Sequence, residues 1–111
     1  MAMLTETSVG GEVGRGAVLS DEAAVTAYAD GFTSPVMGER LRAAYDAAEV
    51  PTGSVLYAAV VSVGCDAPTE VTVAAGPDGL DVEAVPVAAP QQECFAPMTT
   101  VALVEVPAQV L

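Results

Sequence analysis

The sequence contains no histidine and no lysine, and its three cations are all arginine, at Arg15, Arg40 and Arg42. Without histidine there is no Ser-His-Asp or Cys-His catalysis and no imidazole metal site. Without lysine there is no Schiff-base chemistry and no phosphate-binding P-loop. Against 15 acids the three arginines leave a formal net charge of -12 and a pI near 4.1. Nucleic-acid affinity comes largely from cations that displace counterions, so nucleic acid is excluded as a partner, and adhesion to an anionic membrane with it. No run of 18 uncharged apolar residues occurs, which excludes a transmembrane helix; the longest apolar stretch, Val55 to Val63, has the length of a strand. The opening MAMLTETSVGG has neither the basic region nor the apolar core of a signal peptide.

What is present describes a foldable chain. A length of 111 residues is one small domain with one core. Hydrophobic residues make up 52%, mainly Ala and Val with 5% aromatics, and charged residues only 16%, well below the usual quarter. This is not the composition of a disordered acidic tail. The charge is strongly negative because cations are missing, not because acids are crowded. A high-GC, actinobacterium-like genome accounts for the Ala, Val and Gly and for the missing lysine better than halophilic adaptation, which brings more charge in total.

Residues 1–19 are Gly-rich and irregular, with room for short edge strands at Thr5 to Val9 and Val13 to Leu19. Ser20 is placed to cap a helix whose first turn carries Asp21 and Glu22 at the positive end of the dipole. That helix is expected from Asp21 to Asp30, burying Val25, Tyr28, Ala29 and Phe32, with Gly31 as its stop. Ser34 before Pro35 repeats the start signal, since proline at the first helical position loses no hydrogen bond. The second helix is expected from Pro35 to Ala48, burying Met37, Leu41, Ala44, Tyr45 and Ala48. Arg40 and Arg42 read as its solvated face, and Arg42 is spaced to pair with Asp46.

From Pro51 the period falls toward 2, and four strands are predicted: Ser54 to Val63, Glu70 to Ala74, Leu80 to Val87, and Met98 to Val106. The first and last are apolar on both faces, as central strands are; the middle two alternate between a buried and a wet face. Gly76-Pro77-Asp78-Gly79 is a hairpin turn. Pro86 confines the end of the third strand to an edge or bulge. The predicted fold is α+β, with two N-terminal helices (20–50) packed on an antiparallel sheet or meander of four or five strands (51–111), all in a single domain.

Cys65 and Cys94 cannot close a zinc site without further ligands, and their spacing is not that of a redox pair. Asp66 beside Cys65 and Glu93 beside Cys94 make both poor nucleophiles. If the first and last of the four strands are neighbours, the cysteines come close together. A disulfide there closes a loop of about 30 residues and contributes roughly 3.5 kcal/mol by the chain-entropy argument. A bridge implies export, whereas two inert buried thiols are the alternative.

Read in order, VLYAAVVSVG, GCDAPTEVTV, GLDVEAVPV and the ending FAPMTTVALVEVP resemble the C-terminal domain of the protease-complex stability subunit, found on exported bacterial lipoproteins and surface proteins. The upstream GRGAVLSDEAAVTAYADGF fits that domain's opening strand and helix. Pro68-Thr69-Glu70-Val71 stands where the family has a Gly-Gly-Tyr turn, and Ala96-Pro97-Met98 stands at its Pro segment. The resemblance implies a non-catalytic extracytoplasmic domain that binds or stabilises a partner protein, and it carries no catalytic residues.

The expected function is therefore an accessory or protein-interaction domain of the cell envelope or a secreted protein, its leader not included in this chain. Its candidate surface is acidic: Asp66, Glu70, Asp78, Asp81 and Glu83. No catalytic residue, metal or other cofactor is expected; calcium binding by the acidic loops near Asp66, or near Asp78, Asp81 and Glu83, is a further alternative without an Asp-x-Asp-x-Asp-Gly loop behind it. One alternative is a small cytosolic acidic protein, structural or homodimeric through its sheet edges. The other is a hydrolase working through carboxylates alone, with Asp66 and Glu70 or Asp81 and Glu83 as the pair. The sheet half, residues 51–111, has seven acids and no cation, so a partner docking there is basic or brings metal ions.

Overall fold

The two strands that are apolar on both faces hold the middle of the molecule. In the computed structural model, which describes residues 2–76, 79–86 and 96–110, strands β3 (Ser54–Gly64) and β6 (Met98–Pro107) pair antiparallel along their length. They form the centre of a four-stranded sheet of order β1-β6-β3-β2. Its flanks are β1 (Ala2–Thr7) on β6 and the short β2 (Gly16–Val18) on β3. Val60 faces Val101 and Ser62 faces Thr100, so Val61 is an extra residue in the ladder, a bulge.

One face of this sheet carries the helices. Asp21, not Ser20, caps α1 (Glu22–Ala29): its carboxylate accepts from the Ala24 amide at 2.8 Å. The two are adjacent capping residues, and the chain turns one residue later than the hydroxyl suggests. Ser34 caps α2 (Pro35–Ala47) as expected, accepting from the Val36 amide at 3.3 Å. Val25 and Tyr28 of α1, Phe32 just beyond it, and Met37 and Leu41 of α2 sink onto Leu4, Leu56, Val60, Val101 and Leu103 of the sheet. Burial of each such side chain contributes about 1.5–3 kcal/mol.

Arg42 is exposed, as a solvated helix face requires, whereas Arg40 is half-buried. Arg40 donates to the Thr5 carbonyl at 2.8 Å and to the Glu6 carboxylate at 3.1 Å, tying α2 to β1. Arg42 donates to the Thr26 hydroxyl at 3.0 Å and so joins the two helices, rather than pairing with Asp46 as its spacing suggested. Arg15 caps the end of α1, donating to the Tyr28 carbonyl at 2.8 Å. Gly31 serves that arginine: a Cβ at Gly31 would fall on the Arg15 guanidinium. The helix itself stops at Asp30.

The other face carries a separate two-stranded ribbon, β4 (Val71–Gly76) and β5 (Gly79–Ala84). Gly79 takes the left-handed conformation at φ +121° where the hairpin returns. The ribbon packs Val71, Val82 and Ala84 against Ala59, Val61 and Ala102 of the main sheet. The α+β class holds, with six strands in two sheets among the described residues instead of one meander of four or five. A meander requires each strand to pair with the next, whereas β3 pairs with β6 and leaves the hairpin between them to fold on itself. β5 ends at Ala84, short of Pro86, which cannot donate to a ladder.

Candidate functional site

The ribbon gathers part of the acidic surface. Thr72 faces Glu83 across it, and Ala74 faces Asp81. Alternation puts these four side chains on the face turned away from the main sheet, and all four are exposed. Glu70 sits at the base of the ribbon, where its carbonyl accepts from the Val85 amide at 2.9 Å. Asp66 is half-buried on the connection that leads from β3 to the ribbon, apart from the strand face. Cys65 is half-buried and directly follows β3. Asp78 and Cys94 lie outside the described residues, as do the turn pair Pro77-Asp78 and Val87.

Asp81 and Glu83 thus stand two apart on one strand and share one face, about 7 Å apart by strand geometry. Carboxylates that act on a glycosidic bond flank it from two sides, and two side chains that share one strand face need not do so. No group of three or more His, Cys, Asp or Glu side chains among the described residues is placed to hold a metal ion. No helix among them is long and apolar enough to cross a membrane.

Beneath the ribbon lies a cleft of about 370 Å³. Its walls are Val13, Gly14, Tyr57, Ala59 and Val61 on one side and Leu80 to Ala84 of β5 on the other. A larger groove of about 690 Å³ runs between the helices, past Asp30, Glu39, Arg42 and Asp46. Arg42 is already engaged by Thr26 there.

Two features of this surface escaped the sequence reading. One is that the acids of β5 belong to a ribbon standing off the main sheet; alternation of Asp81 and Glu83 with valine reported a wet face but not which sheet it belonged to. The other is the state of the strand edges, which depends on topology. The uncharged run Val71 to Gly76 was the available signal. Comparison with family models, with curated proteins and with solved structures finds no match to this chain.

Proposed function

We propose that this chain is a non-catalytic, extracytoplasmic accessory domain that binds a partner protein through its acidic ribbon. The observation that carries this reading is the outward ribbon face: Asp81 and Glu83, both exposed, sit opposite the small neutral side chains of Ala74 and Thr72 with no cation opposite them. The ion pair Arg40–Glu6 lies on a different element, at α2 and β1. The missing histidine and lysine and the resemblance to the protease-complex stability domain support the same reading.

The test compares the native chain with the Asp81→Asn/Glu83→Gln double variant, each immobilised and exposed to an envelope extract of the source organism. Proteins held by the native chain at low salt should be released at high salt and be absent from the variant, because exposed charges are screened beyond about 8–10 Å at physiological salt. An identical set on both chains would overturn the role of the ribbon.

The extracytoplasmic placement rests on a proposed Cys65–Cys94 disulfide. There is no free cysteine among the described residues. Gly64, next to Cys65, faces Met98, and Cys94 precedes Met98 by four residues. Thiol titration of the denatured, unreduced protein should find none, and two after reduction. Two thiols without reductant would remove both the bridge and the argument for export.

A further inference from the structure

An edge strand presents a row of unpaired N–H and C=O groups, and proteins ordinarily blunt such rows with charge, proline, bulges or cover. Three of the edges here are blunted. On β1, Arg40 occupies the Thr5 carbonyl and pairs with Glu6. β2 is three residues long and lies beside α1. β5 carries Asp81 and Glu83 and is the ribbon strand that approaches β3.

Among the described residues, the outer edge of β4 has none of these devices. Val71–Gly76 contains no charge and no proline, its register with β5 is unbroken, and Thr72, Val73, Ala74 and Ala75 are all exposed. Because Val85 donates to the Glu70 carbonyl, the hydrogen-bonded pairs of the ribbon fall at 70, 72 and 74. The residues between them, Val71, Val73 and Ala75, therefore direct their backbone groups outward. No backbone bond from outside the ribbon reaches 72–75 among the described residues.

We propose that the outer edge of β4 takes an extended, basic segment of a partner protein as a third strand of the ribbon. The proposal rests on the reading of the chain as a protein-interaction domain and specifies how the partner is held. Backbone groups of Val71, Val73 and Ala75 supply the ladder, as in other strand-addition complexes. Charge supplies the choice of partner. An added strand lies about 9.6 Å from β5, two strand spacings. Between them stand only Thr72 and Ala74, small enough for lysine or arginine side chains to reach across to Glu83 and Asp81. A second copy of this chain is the wrong occupant, because each copy carries a net charge of -12 and would set acids against acids.

The experiment titrates the full-length chain with a capped hexapeptide of alternating lysine and valine, followed by amide chemical shifts. Saturable shifts are expected at Val71, Val73 and Ala75, and none with the glutamate–valine counterpart. Val73→Pro removes an outward N–H without touching the ladder to β5, and should weaken binding at least tenfold while leaving the melting curve in place. If that variant melts early, a lysine–valine peptide with alternate amides methylated makes the same test on the native chain, again with at least tenfold loss. Equal affinity for native and Val73→Pro, or for plain and methylated peptide, overturns strand addition and leaves only charge attraction. Self-association through β4 in sedimentation overturns the choice of a basic partner. If strand addition fails while envelope proteins are still held in an Asp81- and Glu83-dependent way, the interaction reading stands; if neither occurs, both fall.

Discussion

Replacing Arg15 by alanine should lower the stability of the fold by about 4 kcal/mol, a shift of more than about 15 °C in the thermal midpoint of a domain this small. The side chain is half-buried and does several things at once. It donates to the Tyr28 carbonyl at 2.8 Å and to the Ala27 carbonyl at 3.4 Å, where the last carbonyls of α1 want a cation. Its guanidinium lies 4.2 Å from the Tyr28 ring centroid and 5.6 Å from that of Phe32. The Tyr28 hydroxyl in turn donates to the Arg15 carbonyl at 2.9 Å. A charge-assisted hydrogen bond contributes about 1.5–3 kcal/mol and a cation–π contact about 0.5–2 kcal/mol, and lost packing adds to both. Arg15→Lys should recover less than half, since an ammonium cannot bond carbonyls as a planar fork while lying on a ring. Gly31→Ala attacks the same contact from the helix side and should cost about 1–2 kcal/mol by crowding it. Thermal unfolding followed by circular dichroism measures all three; an Arg15→Ala midpoint unchanged from the native one would sink the assignment.

The same clasp has a pH signature. Burial pushes the Tyr28 phenol well above its ordinary value near 10, and Arg15 only partly opposes this. Below pH 10 the folded and unfolded chains both keep the proton, so the full stability is present. Above pH 10 the unfolded chain ionises first, and stability falls as the pH rises further. Tyr28→Phe should flatten that alkaline decline.

Leu103→Ala should be comparably damaging, at about 4 kcal/mol, near the upper part of the range for such truncations. Leu103 is 2% exposed on β6 and faces the helices. Its partners across the two flanking strands are Ala2 and Ala58. Neither has a side chain long enough to swing into the space, so most of the cavity persists. Val82→Ala on the ribbon is the control, with a loss of under about 1 kcal/mol, because Val82 is only half-buried. Urea denaturation distinguishes the two, with an unchanged slope confirming that only the midpoint moves.

What the sequence made legible was local. The Ser34-Pro35 start, the buried stripe Val25, Tyr28 and Phe32, and the doubly apolar β3 and β6 are each readable within a dozen residues. Elements whose limits depend on distant partners were displaced. β1 runs over Ala2–Thr7 and not Thr5 to Val9, because it extends as far as β6 offers a ladder, and at Ser8 the backbone turns to φ +58°. Arg15 and Arg40 look like surface charges until the chain is folded; their acceptors lie 13 and 35 residues away. The candidate acids divided similarly. Alternation identified Asp81 and Glu83 as exposed, but their union with Thr72 and Ala74 on a free-standing ribbon depends on β3 choosing β6 over β4.

That choice also governs when the molecule can fold. β6 lies between β1 and β3, and the hydroxyls of Thr5 and Thr100 that meet across it are 95 residues apart. Until residues 98–107 have been made, β1 has no neighbour, β3 has only the three-residue β2, and the helices lack half the surface they cover. Folding of the sheet thus waits for residues 98–107 and proceeds through contacts of long sequence separation, which form more slowly than local ones. A chain whose central strand comes so late cannot complete its core from its first half alone.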